Sequence, residues 1–248
     1  MIHQIFISAA IVVAIIFLIE VAVCKWAAFS LRKVIIPFLT ALPFSAIVNI
    51  LIKSPLIYLL LLAHGLSLKT GILSWPISMI VAALLVVGFS EEGIKLSPLT
   101  SGTLRNYAKN DTLAKIMIAW SVGMGFGTGE ALYIAYMISI APVYAGMPFY
   151  YFTGYIIERI LASIIHGTLA VITYWGLSTS RKLLMSYTCG SLIHSLIDVP
   201  AMLCQIRLLD IILAENIIFL EFIALFLFFL LLTNKYKHTS EKLHVTSL

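Results

Sequence analysis

The amino-acid sequence predicts an all-α, polytopic integral membrane protein, with about seven transmembrane helices around a polar intramembrane cavity. Composition is the first reason: 61% of the 248 residues are hydrophobic and 11% are charged, against about 25% charged in an ordinary soluble domain. The second is spacing, because the apolar residues fall into runs of the length a bilayer-spanning helix needs, about 20 residues. The third is where the charge lies. Sixteen Lys and Arg against eleven Asp and Glu give +5, and the basic residues sit in the short connections between runs. That placement reads as a topology signal and excludes a nucleic-acid footprint.

The runs are Ile5 to Val23, Val34 to Ile52, Ile72 to Leu96, Leu113 to Ile140, Tyr151 to Leu177, Leu183 to Leu203 and Ile211 to Thr233. The first is too long for the apolar core of a signal peptide, and no basic segment precedes it, so it is expected to be the first span. The second is followed by Pro55 to Ala63, apolar but short, which is either a continuation beyond Lys53 or a re-entrant piece. With seven spans, Lys25, Arg32 and Lys33, then Arg105, Lys109 and Lys115, then Arg181 and Lys182, then Lys235, Lys237 and Lys242 share one side. Only Lys53, Lys69 and Arg207 lie opposite. A cell-membrane protein with its N-terminus outside and its C-terminus in the cytoplasm is the expectation. No repeat, low-complexity linker or soluble segment divides the chain, so residues 1–248 read as a single domain. Cys24, Cys189 and Cys204 form no CxxC pair and no even-numbered framework, which argues against a disulfide scaffold or a zinc ribbon.

Polar residues inside spans carry the information, because a charge at bilayer depth costs several kcal/mol. In the third span Ser90-Glu91-Glu92-Gly93-Ile94-Lys95 places two carboxylates after a long apolar run. Glu91 and Lys95 are i and i+4 and are expected to pair, leaving Glu92, turned by about 100°, for other partners. Ser97-Pro98 follows within a turn, so the stretch also reads as a membrane exit at the cytoplasmic edge, which would put a cavity in the cytoplasmic half of the bilayer.

In the fourth span Gly123, Gly125, Gly127 and Gly129 alternate with larger residues and precede Glu130. Each glycine costs a helix about 1 kcal/mol relative to alanine, and the small-xxx-small spacing offers close approach to another helix in return. Glu130 has no basic residue between Lys115 and Arg159 and must find a partner on another helix. In the fifth span Arg159 and His166, seven apart, share a face behind Glu158. In the sixth, His194 and Asp198 are i and i+4, so the carboxylate is expected to bond one ring nitrogen and fix the tautomer; Pro200 is expected to kink the helix just beyond. Glu20 and Asn49, near span ends, read as interfacial or structural.

Four helices thus carry groups that must face away from lipid, and their convergence on one polar cavity is expected on energetic grounds. No GxSxG elbow and no HExxH occurs, so Ser163, Ser191 and Ser195 read as small helix residues and a zincin is unsupported. The set suits water activation by a buried glutamate, with histidines stabilising an oxyanion.

The order EExxK, FGxxE, isolated His, HxxxD resembles the superfamily of type II CAAX prenyl endopeptidases, Abi proteins and PrsW-like proteases, most of all its YhfC branch. The resemblance runs through Glu91, Glu92 and Lys95, through Phe126, Gly127 and Glu130, through His166, and through His194 and Asp198, covering residues of about 73–200. It implies an intramembrane endopeptidase of the glutamic type acting on a membrane protein or peptide. Under it Glu91 is the general base, Glu92 its neighbour in the motif, His166 and His194 partners of the oxyanion or water, and Asp198 the group that orients His194. Lys95, Glu130 and Asp198 depart from the prenyl-endopeptidase pattern; the first two are PrsW-like features and point away from a prenylated substrate. No cofactor is expected. A zinc-dependent version using two histidines and a carboxylate stands as the alternative, as does a non-enzymatic proton path, transporter or immunity protein.

Overall fold

The computed structural model describes residues 4–67, 70–177 and 179–245; Lys69, expected on the side opposite the basic connections, lies outside the described residues. The described residues are 86% helical, with no strand. Helix α1 spans Gln4–Trp26, α2 Leu31–Val48, α3 Ser54–Ala63, α4 Ile77–Ile94, α5 Gly102–Asn110 and α6 Thr112–Ser139. Helices α7 Thr153–Tyr174, α8 Ser180–Ile197, α9 Val199–Gln205 and α10 Ile211–Val245 complete the chain.

Among the described residues, five helical stretches are long and apolar enough to cross a membrane: Gln4–Trp26, Leu31–Ala63, Ile77–Thr100, Phe149–Tyr174 and Ile211–Lys237. The expected fourth and sixth spans are helices too, α6 and α8, but fall short on apolarity. The reason for α6 is its position. It is buried along most of its length against α1, α2 and α7, so its surface meets protein and has no need to match hydrocarbon.

The segment after Lys53 continues the second helix. A π-helical turn over Asn49–Lys53 joins α2 to α3 without a break, giving 33 residues, a length of about 50 Å at 1.5 Å per residue. The turn inserts Lys53 into the helix body, so this residue is not the connection residue expected on the far side. Two further boundaries shift. The third span begins at Ile77, after a 3-10 turn over Ile72–Ser74, and the sixth divides at Asp198, because Pro200 sits in the first turn of α9, where its missing N–H costs nothing.

The four glycines of α6 serve two faces. A Cβ at Gly123 would come within 2.1 Å of the His166 carbonyl oxygen, and one at Gly127 within 2.5 Å of Ser163 Cα, both on α7. On the opposite face, Gly125 and Gly129 would meet the carbonyls of Phe38 and Leu42 on α2 at 2.2 and 1.9 Å. α6 is therefore held between two backbones at once, as close approach of small residues allows. Gly88 does the same for α4, against Ser191 and Ser195 of α8, and Ser195 donates to the Leu84 carbonyl across that contact at 3.0 Å.

One end of the bundle collects the basic connections. Lys237 of α10 donates to the Trp26 carbonyl at the end of α1, and Trp175, just past α7, packs against Tyr236 and beneath Lys115 of α6. Glu20, read as near an interface, is fully buried in α1 and accepts a hydrogen bond from Ser121 of α6. It is a structural link.

Candidate active site

The last turn of α4 presents Glu91 and Glu92, and Lys95 follows it directly, all three buried. α8 supplies His194, α7 supplies His166 and Arg159, α6 supplies Glu130, and the π-turn supplies Lys53. The close contacts at Gly88, Gly123 and Gly127 bring these helices near enough for their side chains to meet.

The carboxylates that gather here each meet a basic side chain, as burial demands. Lys53 Nζ is 2.6 Å from Glu91 Oε1, Lys95 Nζ is 2.5 Å from Glu92 Oε1, and Arg159 Nη1 is 2.9 Å from Glu130 Oε2. Arg159 also reaches Glu158. The expected Glu91–Lys95 pair does not form. Lys95 follows the last helical residue and turns toward α7, where its ammonium meets His166 Nδ1 at 3.0 Å and lies 4.8 Å from the Phe126 ring centroid. Its carbonyl accepts from the Tyr174 hydroxyl at 2.6 Å.

Glu92 is saturated. Oε1 accepts from Lys95 and, at 2.8 Å, from His194 Nδ1; Oε2 accepts from the Thr173 hydroxyl at 2.9 Å. Glu92 thus orients His194, the part expected of Asp198. Asp198 caps the end of α8 with its side chain 37% exposed and Oδ2 3.7 Å from His194 Nε2, beyond hydrogen-bond reach.

The partners assign the two imidazoles opposite tautomers. An ammonium can only donate, so His166 Nδ1 accepts from Lys95 and the proton is on Nε2, which donates to Glu130 Oε2 at 3.2 Å. A carboxylate can only accept, so His194 carries a proton on Nδ1, and in its neutral form Nε2 keeps the lone pair. Glu91 Oε2, buried and without a hydrogen-bond partner, stands 3.9 Å from His166 Nε2 and 3.5 Å from His194 Nε2.

Glu91, His166 and His194 are among the residues lining a cavity of about 590 Å³, whose wall also includes Lys53, Glu130, Arg159 and Asp198. Glu92 and Lys95 are not on that wall; they stand behind it. Gly154 and Glu158 from the first turns of α7, and Glu215 and Asn216 from α10, line the cavity too. Those helix ends are opposite the ones where Lys115, Trp175 and Tyr236 meet. The end of α4 itself lies toward the basic end, where the Tyr174 hydroxyl bonds the Lys95 carbonyl and Ser97 and Pro98 line a groove with Arg32 and Lys33, and the cavity runs from there toward the starts of α7 and α10.

Glu91, His166 and His194 offer ligand atoms that all lie within 4.8 Å of one another. A catalytic zinc takes three protein ligands with free electron pairs. In this arrangement only Glu91 Oε2 and His194 Nε2 offer one, because His166 Nε2 is protonated and Lys95 occupies its other nitrogen. With these hydrogen bonds the three residues offer two such ligands, and a zinc there would need His166 to change tautomer.

Of the residues singled out from sequence, Glu91, His166 and His194 converge on one point, Glu130 and Arg159 flank it, Glu92 and Lys95 support it, and Asp198 stands at its edge. Lys53 escapes the sequence reading. Its only signal there is a lysine between apolar segments, which also describes a loop. No family model, curated protein or solved structure matches the chain.

Proposed function

We propose that the chain is an intramembrane endopeptidase of the glutamic type, related to the YhfC and PrsW-like proteins, that hydrolyses a peptide bond in a membrane protein or peptide. One observation carries the reading. The unpartnered oxygen of Glu91 stands 3.9 and 3.5 Å from Nε2 of His166 and of His194, beside a cavity that all three residues line. A water bound there donates to Glu91 Oε2 and His194 Nε2. Glu91 takes its proton as the water oxygen attacks the carbonyl carbon, His166 Nε2–H turns from Glu130 to stabilise the resulting oxyanion, and Glu91 returns the proton to the departing amine. Clustering of the polar groups around one cavity supports hydrolysis over a proton path, which would string its groups across the membrane.

In this reading α6 and α8 complete seven spans, with the basic ends of the helices in the cytoplasm and the N-terminus outside. The cavity then opens toward the outer side, and the hydrolysis uses no resident metal.

The test is Glu91→Gln, assayed in detergent micelles with quenched-fluorescence casein and a panel of single-span model peptides. The substitution keeps shape and removes the base, so cleavage should fall by about a hundredfold or more with melting behaviour retained. A variant as active as the wild type, or a wild type that cleaves none of the probes, removes the reading.

A further inference from the structure

The basic end of the bundle holds a second concavity, of about 770 Å³, that has no part in the proposed chemistry. α8 and α10 both pack on α7, and the groove they share is lined by Val171 and Ile172 of α7, Met185 and Cys189 of α8, and Phe228 and Leu232 of α10. Much of this apolar lining is uncovered: Met185 is 65% exposed and Phe228 43%. One end is different. There Lys115 and Lys182 line the groove together with Trp175 and Tyr236. Lys115 Nζ lies 5.6 Å from the Trp175 ring centroid. No carboxylate is among the described residues lining the groove. Asp111, next to the lining residue Thr112 in the chain, instead caps α6 by accepting from the Ala114 N–H.

We propose that this groove binds one anionic phospholipid, its acyl chain along the apolar lining and its phosphate paired with Lys115 and Lys182. Charge complementarity selects an anion, and the uncovered apolar lining selects one with a hydrocarbon tail; a soluble phosphate would leave that lining bare. Trp and Tyr at the charged end are the side chains that settle at headgroup depth. Basic pockets between membrane helices on the cytoplasmic side are a recurring setting for anionic headgroups. The groove also touches the site behind its wall: the Ser186 hydroxyl, on the lining, donates to the Thr173 carbonyl, and the Thr173 hydroxyl holds Glu92. Occupancy therefore stiffens the helix pair that positions His194.

The full chain, purified in a neutral detergent, is melted with added phosphatidylglycerol, with phosphatidylcholine of the same acyl chains, and with sodium phosphate. Phosphatidylglycerol should raise the melting temperature by about 4 °C more than phosphatidylcholine, and sodium phosphate should not. Lys115→Gln with Lys182→Gln should remove that difference. Lys182→Gln alone, at an exposed position, should reduce it, and Cys189→Trp should do so by filling the groove. Native mass spectrometry should find phosphatidylglycerol retained on the wild type and lost from the variants. Equal increments from the two lipids, an increment reproduced by sodium phosphate, or a phosphatidylglycerol increment surviving in the double variant would overturn the proposal.

Discussion

Lys53 Nζ lies 2.6 Å from Glu91 Oε1, although Lys53 belongs to a helix that carries none of the polar motifs. The π-turn over Asn49–Lys53 is what delivers it, in keeping with the frequency of such turns at functional sites. The pair occupies one carboxylate oxygen and leaves the other for the histidines.

Lys53→Met is expected to strand the Glu91 charge in the bundle and to lower stability by about 3–5 kcal/mol. Adding Glu91→Gln removes that charge, so the double variant should melt closer to the wild type than Lys53→Met alone. Melting curves in detergent for the four proteins measure the coupling.

Glu92→Gln and Asp198→Asn separate the two acidic neighbours of His194. Glu92 is fully buried and bonds Nδ1 at 2.8 Å, whereas Asp198 is 3.7 Å from Nε2. Loss of Glu92 should release the tautomer and cut cleavage by about tenfold or more, the usual scale for an orienting partner, while Asp198→Asn should change it little. Rates for both variants on one peptide probe decide it.

Gly123→Ala puts a methyl group 2.1 Å from the His166 carbonyl oxygen, and the backbone cannot yield cheaply. A loss of about 1–3 kcal/mol is expected. Gly102→Ala, where nothing lies within 4 Å, should be neutral in the same melting assay.

Chelator treatment tests the donor argument at Glu91, His166 and His194. Cleavage should survive incubation with 1,10-phenanthroline and dialysis, and metal analysis of the purified protein should find no stoichiometric zinc. Activity lost to the chelator and restored by zinc would reassign the site to a metalloprotease, with His166 changing tautomer.

The helical membrane class and the polar residues that matter were legible along the chain, because a charge or histidine inside an apolar run is costly wherever it occurs. Glu91, Glu130, His166 and His194 stand out for that reason alone. The alternating glycines announced close packing for the same kind of reason: a helix that gives up four side chains must gain contacts. Partner choice was not legible. Helical spacing favoured Glu91 with Lys95 and His194 with Asp198, and the backbone stays helical through both, with Lys95 N–H bonding the Glu91 carbonyl and Asp198 N–H the His194 carbonyl; the groups on neighbouring helices decide otherwise. Lys95 turns to Glu92, one turn back, and to His166 on α7; Glu92 takes His194 of α8, and Glu91 is left to Lys53. Which groups must avoid lipid follows from the order of residues and the cost of burying charge. Which of them meet, and toward which end the cavity opens, follows from packing, because those outcomes depend on the relative depth of helices far apart in the chain.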